Sequence, residues 1–417
     1  MNPRKTDRRQ LLAASAATLT LGKIAECSPW TFEPQPKLVA AVATIYRPNS
    51  HADVLIGKIL EGWKQNGGPG PNLKLASIYV DQFPQDDLSV ALCKKHNVRL
   101  CKSIRECLEL DSGTLAVDGV LSIGEHGDYP VNELGQQLYP RRRFFEEICQ
   151  VFERSGRTVP VFNDKHPGPR WEDAAWMAER AKQLAVPWMA GSSLTVGSRT
   201  PDVTLPTGES VSACLAIGYS GLDIYGFHTL DFLQCIVERR KVEHQGVVSV
   251  QSLGMDLLPK LIEQRVVDQQ LLKLGAESSA VKLSDLLANS TTSNADSEAI
   301  FVITYRDGLR VPVLMLGGRA GAISVSWREG NGAARSTKAN EHPEPRYPHF
   351  AYLLKAIETM IHTGRPSYPV ERTLLAAGIL DRALNSKHQG GKIFNTPELD
   401  LNYQFVDYPH APHISLL

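Results

Sequence analysis

The sequence has no excess of charge of either sign. Its 417 residues include 45 lysines and arginines and 45 aspartates and glutamates, so the formal net charge is zero. A surface that binds nucleic acid needs surplus basic residues to displace phosphate counterions, and neither the totals nor any long basic run supplies them. The sequence therefore argues against nucleic acid as a partner.

Cysteine is scarce, and its spacing follows no metal-binding pattern. The chain has seven cysteines, with no C-x-x-C pair and no finger-like combination with histidine. Structural zinc sites are built from such closely spaced ligands. We therefore expect buried free thiols and no structural zinc.

Near the N-terminus, the sequence lacks an apolar run long enough to span a membrane. The apolar run at residues 11–21 is shorter than the roughly 20 residues that a membrane-spanning helix needs. It follows a cluster of basic residues, and this order is typical of an export signal that is later removed. We therefore expect a signal peptide over residues 1–30 and no membrane span in the mature protein.

The signal contains an arginine pair. Residues 6–12, TDRRQLL, resemble the twin-arginine export motif, which is read by a translocase that carries folded proteins. This resemblance implies a periplasmic or other extracytoplasmic location. Two alternatives remain open: a lipoprotein cleavage box at residues 24–27, in which Glu26 stands where a small residue is wanted, and a plain basic N-terminus.

Length and composition indicate two domains, α/β followed by α+β. Hydrophobic residues make up 42% and charged residues 22%, which is ordinary for a globular protein. From residue 37 apolar runs alternate with amphipathic segments, which predicts a Rossmann-like, doubly wound parallel sheet over residues 37–195. Strand-length runs with polar turns predict a second domain over residues 196–392 with an open, largely antiparallel sheet, followed by a tail over residues 393–417.

The same patterns predict individual elements. In the first domain the predicted strands are 37–45, 74–80, 117–123 and 158–162, and the predicted helices are 52–64, 86–95, 143–153 and 171–184. In the second domain the predicted strands are 248–253, 299–305, 311–316 and 322–327, and the predicted helices are 349–363 and 370–386. A Ser-, Asn- and Thr-rich stretch within residues 279–297 predicts an exposed loop.

Polar residues follow two of the predicted strands. Residues 124–130, GEHGDYP, come after the third strand, and residues 163–166, NDKH, come after the fourth. Ligands of open α/β sheets bind at the carboxyl ends of the strands, so both loops are expected to overlook one cleft. Their acidic and basic side chains suit proton transfer at a sugar hydroxyl. We therefore predict that His126, Asp128 and His166 bind substrate.

Other interpretations of these loops stay open. Glu125, His126 and Asp128, with His166 from the neighbouring loop, are also residue types that bind metal ions. A glycine-bounded polar turn is the more ordinary interpretation of the first loop. We accordingly predict no metal site.

Two short motifs and a C-terminal segment have forms that occur together in one enzyme family. VFNDKHP at residues 161–167 follows a strand, GFHTLD at residues 226–231 has the form Gly-x-His-x-x-Asp, and residues 350–392 surround a Gly-Arg-Pro turn. Together they resemble the Gfo/Idh/MocA family of nicotinamide-dependent sugar and polyol oxidoreductases. That family carries Glu-Lys-Pro after its fifth strand and Gly-x-His-x-x-Asp on a helix lining the substrate cleft. The resemblance places Lys165 on the family's lysine and His228 on its histidine.

The resemblance implies an oxidoreductase that acts on a carbohydrate or polyol with NAD or NADP. In this interpretation Lys165 hydrogen-bonds the substrate, and His228 removes the hydroxyl proton as a hydride leaves carbon. Asp231 or Asp164 orients or polarises these two groups. The alternatives are a solvated surface lysine and a buried structural histidine.

The family's glycine-rich cofactor turn is altered in this sequence. It falls on residues 43–48, where Ala43, Ile45 and Pro48 replace the three glycines that allow a tight turn and a close approach to pyrophosphate. The start of the next helix can still hold an anion without glycine. Asp81 stands at the ribose-binding position of dinucleotide folds, or else starts a turn. The residues that we assign to the cofactor are Thr44, Tyr46, Arg47, Asn49, Asp81 and Glu125.

Two other functions remain open on the same residues. One is a hydrolase or lyase that uses Glu125, His126, Asp128, Lys165 and His228 without hydride transfer. The other is a non-catalytic carbohydrate-binding protein, because a fold by itself does not determine chemistry. In all three cases, a C-terminal sheet face left uncovered by helices predicts association into a homo-oligomer.

Overall fold

The structure is a computed structural model and describes residues 35–288, 296–341, 344 and 346–411. The signal peptide predicted at residues 1–30 lies outside this part. Residues 36–417 belong to one compact unit that contains two sheets. The domain boundaries at residues 195 and 392 stay predictions. Among the described residues, no helix combines the length and apolarity that crossing a membrane requires.

Six parallel strands form the first sheet, in the order β3-β2-β1-β4-β5-β6. The strands are β1 Lys37–Ala43, β2 Leu73–Val80, β3 Arg99–Cys101, β4 Gly119–Ile123, β5 Val161–Asp164 and β6 Trp188–Gly191. The helices of this region are α1 His51–Glu61, α2 Ser89–His96, α3 Ile104–Glu109, α4 Arg141–Ser155 and α5 Trp171–Gln183. This strand order is that of a doubly wound fold, so the predicted Rossmann-like sheet is confirmed.

Burial explains why these strands are readable in the sequence. Every residue of β4 and β5 is buried, and continuous apolar runs are typical of parallel strands that helices cover on both faces. The four strands and four helices predicted in this region exist, with ends that differ by a few residues. Strands β3 and β6 are not predicted, because three or four residues are too few to show a pattern.

Eight strands form the second sheet, in the order β14-β9-β10-β11-β8-β12-β13-β7. They are β7 Arg199–Thr200, β8 Val211–Gly218, β9 Val247–Leu253, β10 Glu298–Tyr305, β11 Arg310–Leu316, β12 Ser324–Glu329, β13 Ala334–Ala339 and β14 Phe394–Asn395. The remaining helices are α6 Ile224–Val237, α7 Leu258–Glu263, α8 Gln269–Ser278, α9 Leu283–Leu287, α10 Phe350–Thr363 and α11 Val370–His388. Only β8 and β11 pair in parallel among these described strands, which confirms a largely antiparallel sheet.

Helices cover both faces of the second sheet. On one face α6 and α11 pack against residues such as Ala216 and Phe301. On the other face α7, α8 and α9 pack against Leu215 and Ile300, which precede Ala216 and Phe301 in the strands and therefore point the opposite way. The premise of an uncovered sheet face is therefore wrong, because helices between β9 and β10 bury it. The homo-oligomer itself is not tested and stays a prediction.

One predicted irregular segment contains regular structure. Strand β14 lies inside the predicted tail and pairs antiparallel with β9. Contacts with a distant segment order residues there whose local composition is that of a loop. The Ser-, Asn- and Thr-rich stretch predicted as an exposed loop lies mostly at residues 289–295, outside the described part, and helix α9 ends just before it with Leu286 buried against the second sheet.

The C-terminal helices return to the first sheet. Helix α10 packs on α1 and buries Leu353 and Leu354 in the core of that sheet, and α11 packs on β6, α5 and α6. The two predicted helices are thus confirmed, and Gly364 with φ +67° ends the first of them in the left-handed region. This packing brings the segment before α10 over the carboxyl ends of β1 and β5.

Candidate active site

A cavity of about 280 Å³ lies at the carboxyl ends of β1, β4 and β5. Its lining comes from both sheet regions and from the segment before α10: Asn49, His51, Glu125, His126, Lys165, Ser193, Leu194, Ile224, Tyr225, His228, Glu341, Tyr347, His349 and Phe350. Lys165 and His228, which are far apart in sequence, thus line the same cavity. A larger groove of about 730 Å³ beside α5 and α11 contains none of the predicted site residues.

Lys165 follows β5 directly and holds a buried carboxylate. Its Nζ donates to Oε1 of Glu125 at 2.6 Å, and Arg141 donates to Oε2 of the same carboxylate at 2.7 Å. All three side chains are almost completely buried. Burial raises the pKa of Glu125, but Lys165 and Arg141 lower it by more, so the net pKa lies well below the usual range. The carboxylate therefore stays charged and fixes the lysine.

The backbone directs Lys165 into the cavity. Its φ of +60° lies in the left-handed region, where residues other than glycine are uncommon. Its N–H donates to the carbonyl of Gly191, the last residue of β6, at 3.2 Å. Gly191 has φ +140°, and a Cβ there would stand 3.0 Å from Oδ2 of Asp231. Glycine at position 191 therefore lets the end of β6 lie close to both Lys165 and Asp231.

His228 and Asp231 lie one turn apart on α6 and share Ser192 as a neighbour. The Oγ of Ser192 lies 2.6 Å from Nδ1 of His228, and its backbone N–H donates to Oδ2 of Asp231 at 2.8 Å. Burial raises the pKa of Asp231 to about 6. Burial and the nearby charge of Lys165 lower the pKa of His228 well below its usual value. His228 lines the cavity, whereas Asp231 is buried behind it and positions Ser192.

Asp164, the last residue of β5, contacts a histidine that no sequence motif indicates. His51, the first residue of α1, places Nδ1 2.6 Å from Oδ2 of Asp164, whose side chain is 1% exposed. The histidine ring also lies against Phe350 and His126, with ring centroids 4.8 Å and 5.4 Å away. Ser50 caps α1 and sets where His51 leaves the helix. No local pattern in the sequence marks this histidine as a site residue.

Tyr225 and Glu341 form a wall that sequence patterns also miss. The ring of Tyr225 packs on Tyr219, with centroids 4.7 Å apart, and the Tyr219 hydroxyl donates to Oε2 of Glu341 at 2.8 Å. Burial raises the pKa of Glu341 by more than the Tyr219 hydrogen bond lowers it. This wall and the histidines offer several donors and acceptors to one small ligand.

The three predicted substrate-binding residues have different surroundings. His126 lines the cavity, and burial lowers its pKa to about 4. His166 is buried and does not line the cavity. Its Nδ1 lies 2.6 Å from the carbonyl of Gly168 and its Nε2 3.3 Å from Nη1 of Arg141, so it supports the loop. Asp128 is exposed and does not line the cavity. The structure brings only the first of them to the site.

Two of the four predicted cofactor residues before α1, Thr44 and Tyr46, make contacts within the protein. Thr44 Oγ1 donates to the carbonyl of Glu125 at 2.6 Å and accepts from its N–H at 3.1 Å, which joins the ends of β1 and β4. Tyr46 is packed in the core of the first sheet, and burial raises its pKa. Arg47 is exposed, and Asn49 lines the cavity.

Asp81 follows β2 and is engaged inside the protein. Its carboxylate accepts hydrogen bonds from Tyr79 at 2.6 Å, Tyr129 at 2.7 Å and Arg143 at 2.6 Å. Burial raises the pKa of Asp81, but these hydrogen bonds outweigh burial and lower it overall. Both carboxylate oxygens already have donors, which leaves fewer sites for a ribose hydroxyl.

No cysteine of the described part lines the cavity. The six cysteines of the described part are buried free thiols, as the sequence predicts, and Cys27 lies outside that part. Across the described ranges, no group of three or more histidine, cysteine, aspartate or glutamate side chains is arranged to hold a metal ion.

Several solved structures with the same architecture are dehydrogenases or proteins of dehydrogenase type. GenD2 from gentamicin A biosynthesis, solved with NAD, matches with a TM-score of 0.55 at 11% identity, over 87% of this chain and 97% of that one. A myo-inositol dehydrogenase from Corynebacterium glutamicum matches with a TM-score of 0.54 at 14% identity, over 86% and 98%. A myo-inositol 2-dehydrogenase from Lactobacillus plantarum matches with a TM-score of 0.53 at 10% identity, over 87% and 99%. The chain has the fold of these enzymes. No family model and no curated protein matches its sequence.

The segment between β1 and α1, where this fold binds phosphate, has a different structure in this chain. Side chains stand at all three glycine positions of residues 43–48. At the start of α1, the carboxylate of Asp53 accepts the N–H of Asn49 at 2.9 Å, and the N–H of Arg346 donates to the Asn49 side chain at 3.0 Å. A pyrophosphate needs a close backbone and an uncovered, positive helix end. These residues do not fit a dinucleotide in the pose that the glycine turn allows.

Proposed function

We propose that this chain is an oxidoreductase that acts on a small polyol or carbohydrate in the cavity beside β5. The observation that carries the proposal is the meeting of Lys165 and His228 in one cavity. The shared fold supports it, because structures of this architecture include inositol dehydrogenases. The polar lining supports it as well, because hydroxyl groups need closely placed donors and acceptors.

Lys165 is suited to hold a substrate oxygen. The charge of Glu125 fixes its ammonium group at the cavity wall, and an ammonium group has three donors, so hydrogen bonds to a ligand can still form. Negative charge that develops on a substrate oxygen is stabilised by a fixed positive group in a buried site. In the proposed reaction Lys165 therefore binds and polarises the reacting hydroxyl.

His228 is suited to accept the hydroxyl proton. Burial and Lys165 keep the ring neutral at pH 7, because both lower its pKa. In the tautomer with the proton on Nδ1, the ring donates to Ser192 and presents the lone pair of Nε2. The hydrogen bond from Ser192 to Asp231 holds this serine in place.

Removal of a hydride from the substrate carbon needs an acceptor. The proposal takes NAD or NADP for this part, which is supported by the fold and by the NAD in the GenD2 structure. Because residues 43–48 do not fit a dinucleotide in the usual pose, NAD or NADP would have to bind through other contacts. The roles of Lys165 and His228 do not depend on which contacts these are.

A second candidate function follows from the rebuilt turn. Asp53, Arg346 and the His51 ring occupy the surroundings of the α1 start, where the fold otherwise receives pyrophosphate. This favours a hydrolase or lyase that moves protons in the same cavity without hydride transfer. Both candidates share the substrate class and the roles of Lys165 and His228.

One experiment separates the two. Protein purified in its folded, exported form is examined by native mass spectrometry for retained dinucleotide, then titrated with NAD and NADP. Turnover of myo-inositol, scyllo-inositol, glucose and a glucoside is followed at the nicotinamide absorbance band and by product analysis. Bound dinucleotide with an absorbance change supports the oxidoreductase, and conversion of a polyol or cleavage of the glucoside without either supports the second candidate.

Matched variants test the residues. Lys165→Met and His228→Ala are expected to abolish polyol turnover. The control is Lys95→Met, because Lys95 also donates to a glutamate at 2.6 Å, that of Glu61, but lies at the surface. Polyol binding that survives both site substitutions, with no turnover in the wild type, would overturn both enzymatic candidates and leave a carbohydrate-binding protein.

We also propose export to the periplasm or another extracytoplasmic space. The support is the basic, arginine-paired start and short apolar run of residues 1–30. Fused to a reporter that is exported only when folded, this segment is expected to direct export, and the R8K/R9K double substitution is expected to abolish it. Export of the double variant through the same route would contradict the proposal.

A further inference from the structure

We propose that His51, oriented by Asp164, is a second acid–base residue of the cavity. The inference rests on the proposed function, because it needs a substrate with hydroxyl groups in that cavity. It assigns a role to a residue at the start of α1, the place where this fold otherwise receives a phosphate.

The two ring nitrogens of His51 have different surroundings. Nδ1 lies 2.6 Å from Oδ2 of Asp164. Within the described ranges, Nε2 has no hydrogen-bond partner, and the ring lines the cavity. The side chain is 14% exposed, while that of Asp164 is 1% exposed, so the carboxylate lies behind the ring as seen from the cavity. One nitrogen is anchored and the other remains for a ligand.

The carboxylate determines what this ring can do. A buried carboxylate next to Nδ1 favours the tautomer with the proton on Nδ1, which leaves the lone pair on Nε2. It also stabilises the imidazolium that forms when Nε2 takes a proton. Phe350 and His126 contact the ring and restrict its rotation. These are the requirements for a positioned general base.

The proton transfer balances within the cavity. His51 acts on a second hydroxyl of the substrate, not on the one that His228 deprotonates. The O–H bond of this second hydroxyl breaks, its electron pair stays on oxygen, and the proton forms a new bond with Nε2 of His51. The ammonium of Lys165, which lines the same cavity, can stabilise the oxygen. The other ionisable groups at the cavity are Glu125, His126, Tyr225, His228, Glu341, Tyr347 and His349. The cycle closes when His51 returns the proton to product or water.

A second histidine in the chain has the same local chemistry outside the site. Nε2 of His96 lies 2.6 Å from Oε1 of Glu61, and both side chains are partly exposed at the surface. This pair therefore provides a control for the general effects of removing a histidine–carboxylate contact. Neither His96 nor Glu61 belongs to the cavity lining.

The test compares wild type with His51→Gln, Asp164→Asn and the control His96→Gln, using the polyol that the wild type converts. We expect kcat to fall about 10²-fold or more in His51→Gln. We expect a smaller fall in Asp164→Asn, little change in KM, and no change in the control. Added imidazole is expected to restore part of the kcat of His51→Ala, which a structural role would not produce. Thermal unfolding of each variant shows whether it is folded.

Outcomes separate this inference from the proposed function. A kcat of folded His51→Gln or Asp164→Asn equal to that of the control overturns the inference while leaving the proposed function intact. If the wild type converts no polyol, the proposed function fails, and histidine modification by diethyl pyrocarbonate then tests the dyad. Mass mapping that shows His51 modified at least as fast as the more exposed His96 supports a reactive Nε2, and an unmodified His51 overturns it.

Discussion

Lys165 and Glu125 meet at 2.6 Å although they follow different strands of the first sheet. Each side chain is at most 4% exposed, and Arg141 completes a buried group of two cations and one carboxylate. A buried charge is stable only when its partners remain, so the geometry of the candidate site and the stability of the fold depend on the same contact.

The substitution Glu125→Gln is expected to destabilise the protein. It removes the carboxylate between Lys165 and Arg141 and leaves two buried cations uncompensated, which costs about 3–5 kcal/mol in free energy of unfolding. Denaturant unfolding measures this. The control Glu147→Gln, at a partly exposed carboxylate on α4, is expected to change it by less than about 0.5 kcal/mol. An equal change in free energy of unfolding for both substitutions would mean that the buried Glu125 carboxylate stabilises the fold no more than a surface carboxylate does.

Asp231 makes stability depend on pH. Its pKa is raised to about 6 by burial, whereas an aspartate in the unfolded chain has a pKa of about 3.9. Between these values the folded state binds more protons, so this residue makes stability fall as pH rises from about 4 to about 6. Asp231→Asn is expected to remove up to about 1.4 kcal/mol of this slope per pH unit.

Unfolding curves at several pH values between these limits test that expectation. Asp111→Asn is the matched control, because the side chain of Asp111 is 89% exposed. The pH slope of the control is expected to follow the wild type. A slope for Asp231→Asn that also follows the wild type would show that Asp231 ionises normally in the folded protein.

Ser192→Ala tests how His228 is held. The substitution removes the Oγ that lies 2.6 Å from Nδ1 of the histidine but keeps the backbone N–H that bonds Asp231. The loss of this orienting hydrogen bond is expected to lower kcat/KM for the polyol about five- to tenfold. The same Oγ accepts the N–H of Leu194 at 3.2 Å, so we also expect a loss of about 1–3 kcal/mol in free energy of unfolding. Ser212→Ala, at an exposed serine, is expected to leave kcat/KM unchanged. A Ser192→Ala enzyme with wild-type kcat/KM would mean that His228 needs no such support.

Gly191→Ala tests the close approach of β6 to the site. The residue has φ +140°, and an added Cβ would stand 3.0 Å from Asp231 and 3.1 Å from Thr373. We expect a loss of about 1–3 kcal/mol in free energy of unfolding, with a fall in polyol affinity as Lys165 shifts. Gly221→Ala is the control, because a Cβ there meets no heavy atom within 4 Å and its φ is not left-handed. Unchanged stability of Gly191→Ala would contradict the tight packing described here.

Part of the candidate site is predictable from sequence because its signals are local. Lys165 follows a strand that is buried on both faces, and His228 stands in a short helical motif. The carboxyl ends of neighbouring parallel strands meet at one edge, so polar residues there can be expected to share a cleft. Glu125 and His126 follow the same rule after β4 and do line the cavity.

Other site residues are not predictable, because no local pattern marks them. His51 is oriented by Asp164, which is more than a hundred residues away in sequence. Glu341 is held by a hydrogen bond from the Tyr219 hydroxyl, which is similarly distant along the chain. Asp128 has the right residue type in the right loop, yet its side chain faces solvent. The direction of a side chain in a loop depends on backbone contacts that the sequence pattern does not contain.

The sequence by itself determined the parallel sheet, the approximate positions of its main strands along the chain and the place of Lys165 at a strand end, and the resemblance to a known family placed His228 on a helix. The sequence could do so because burial on two faces and helical periodicity are local properties of the chain. Tertiary structure alone decided that α7, α8 and α9 cover the second sheet, that Asp81 is bonded within the protein and that His51 joins Asp164. These three contacts join segments that are distant in sequence. They form because the folded arrangement buries apolar area and pairs polar groups at the same time, which no local sequence pattern reveals.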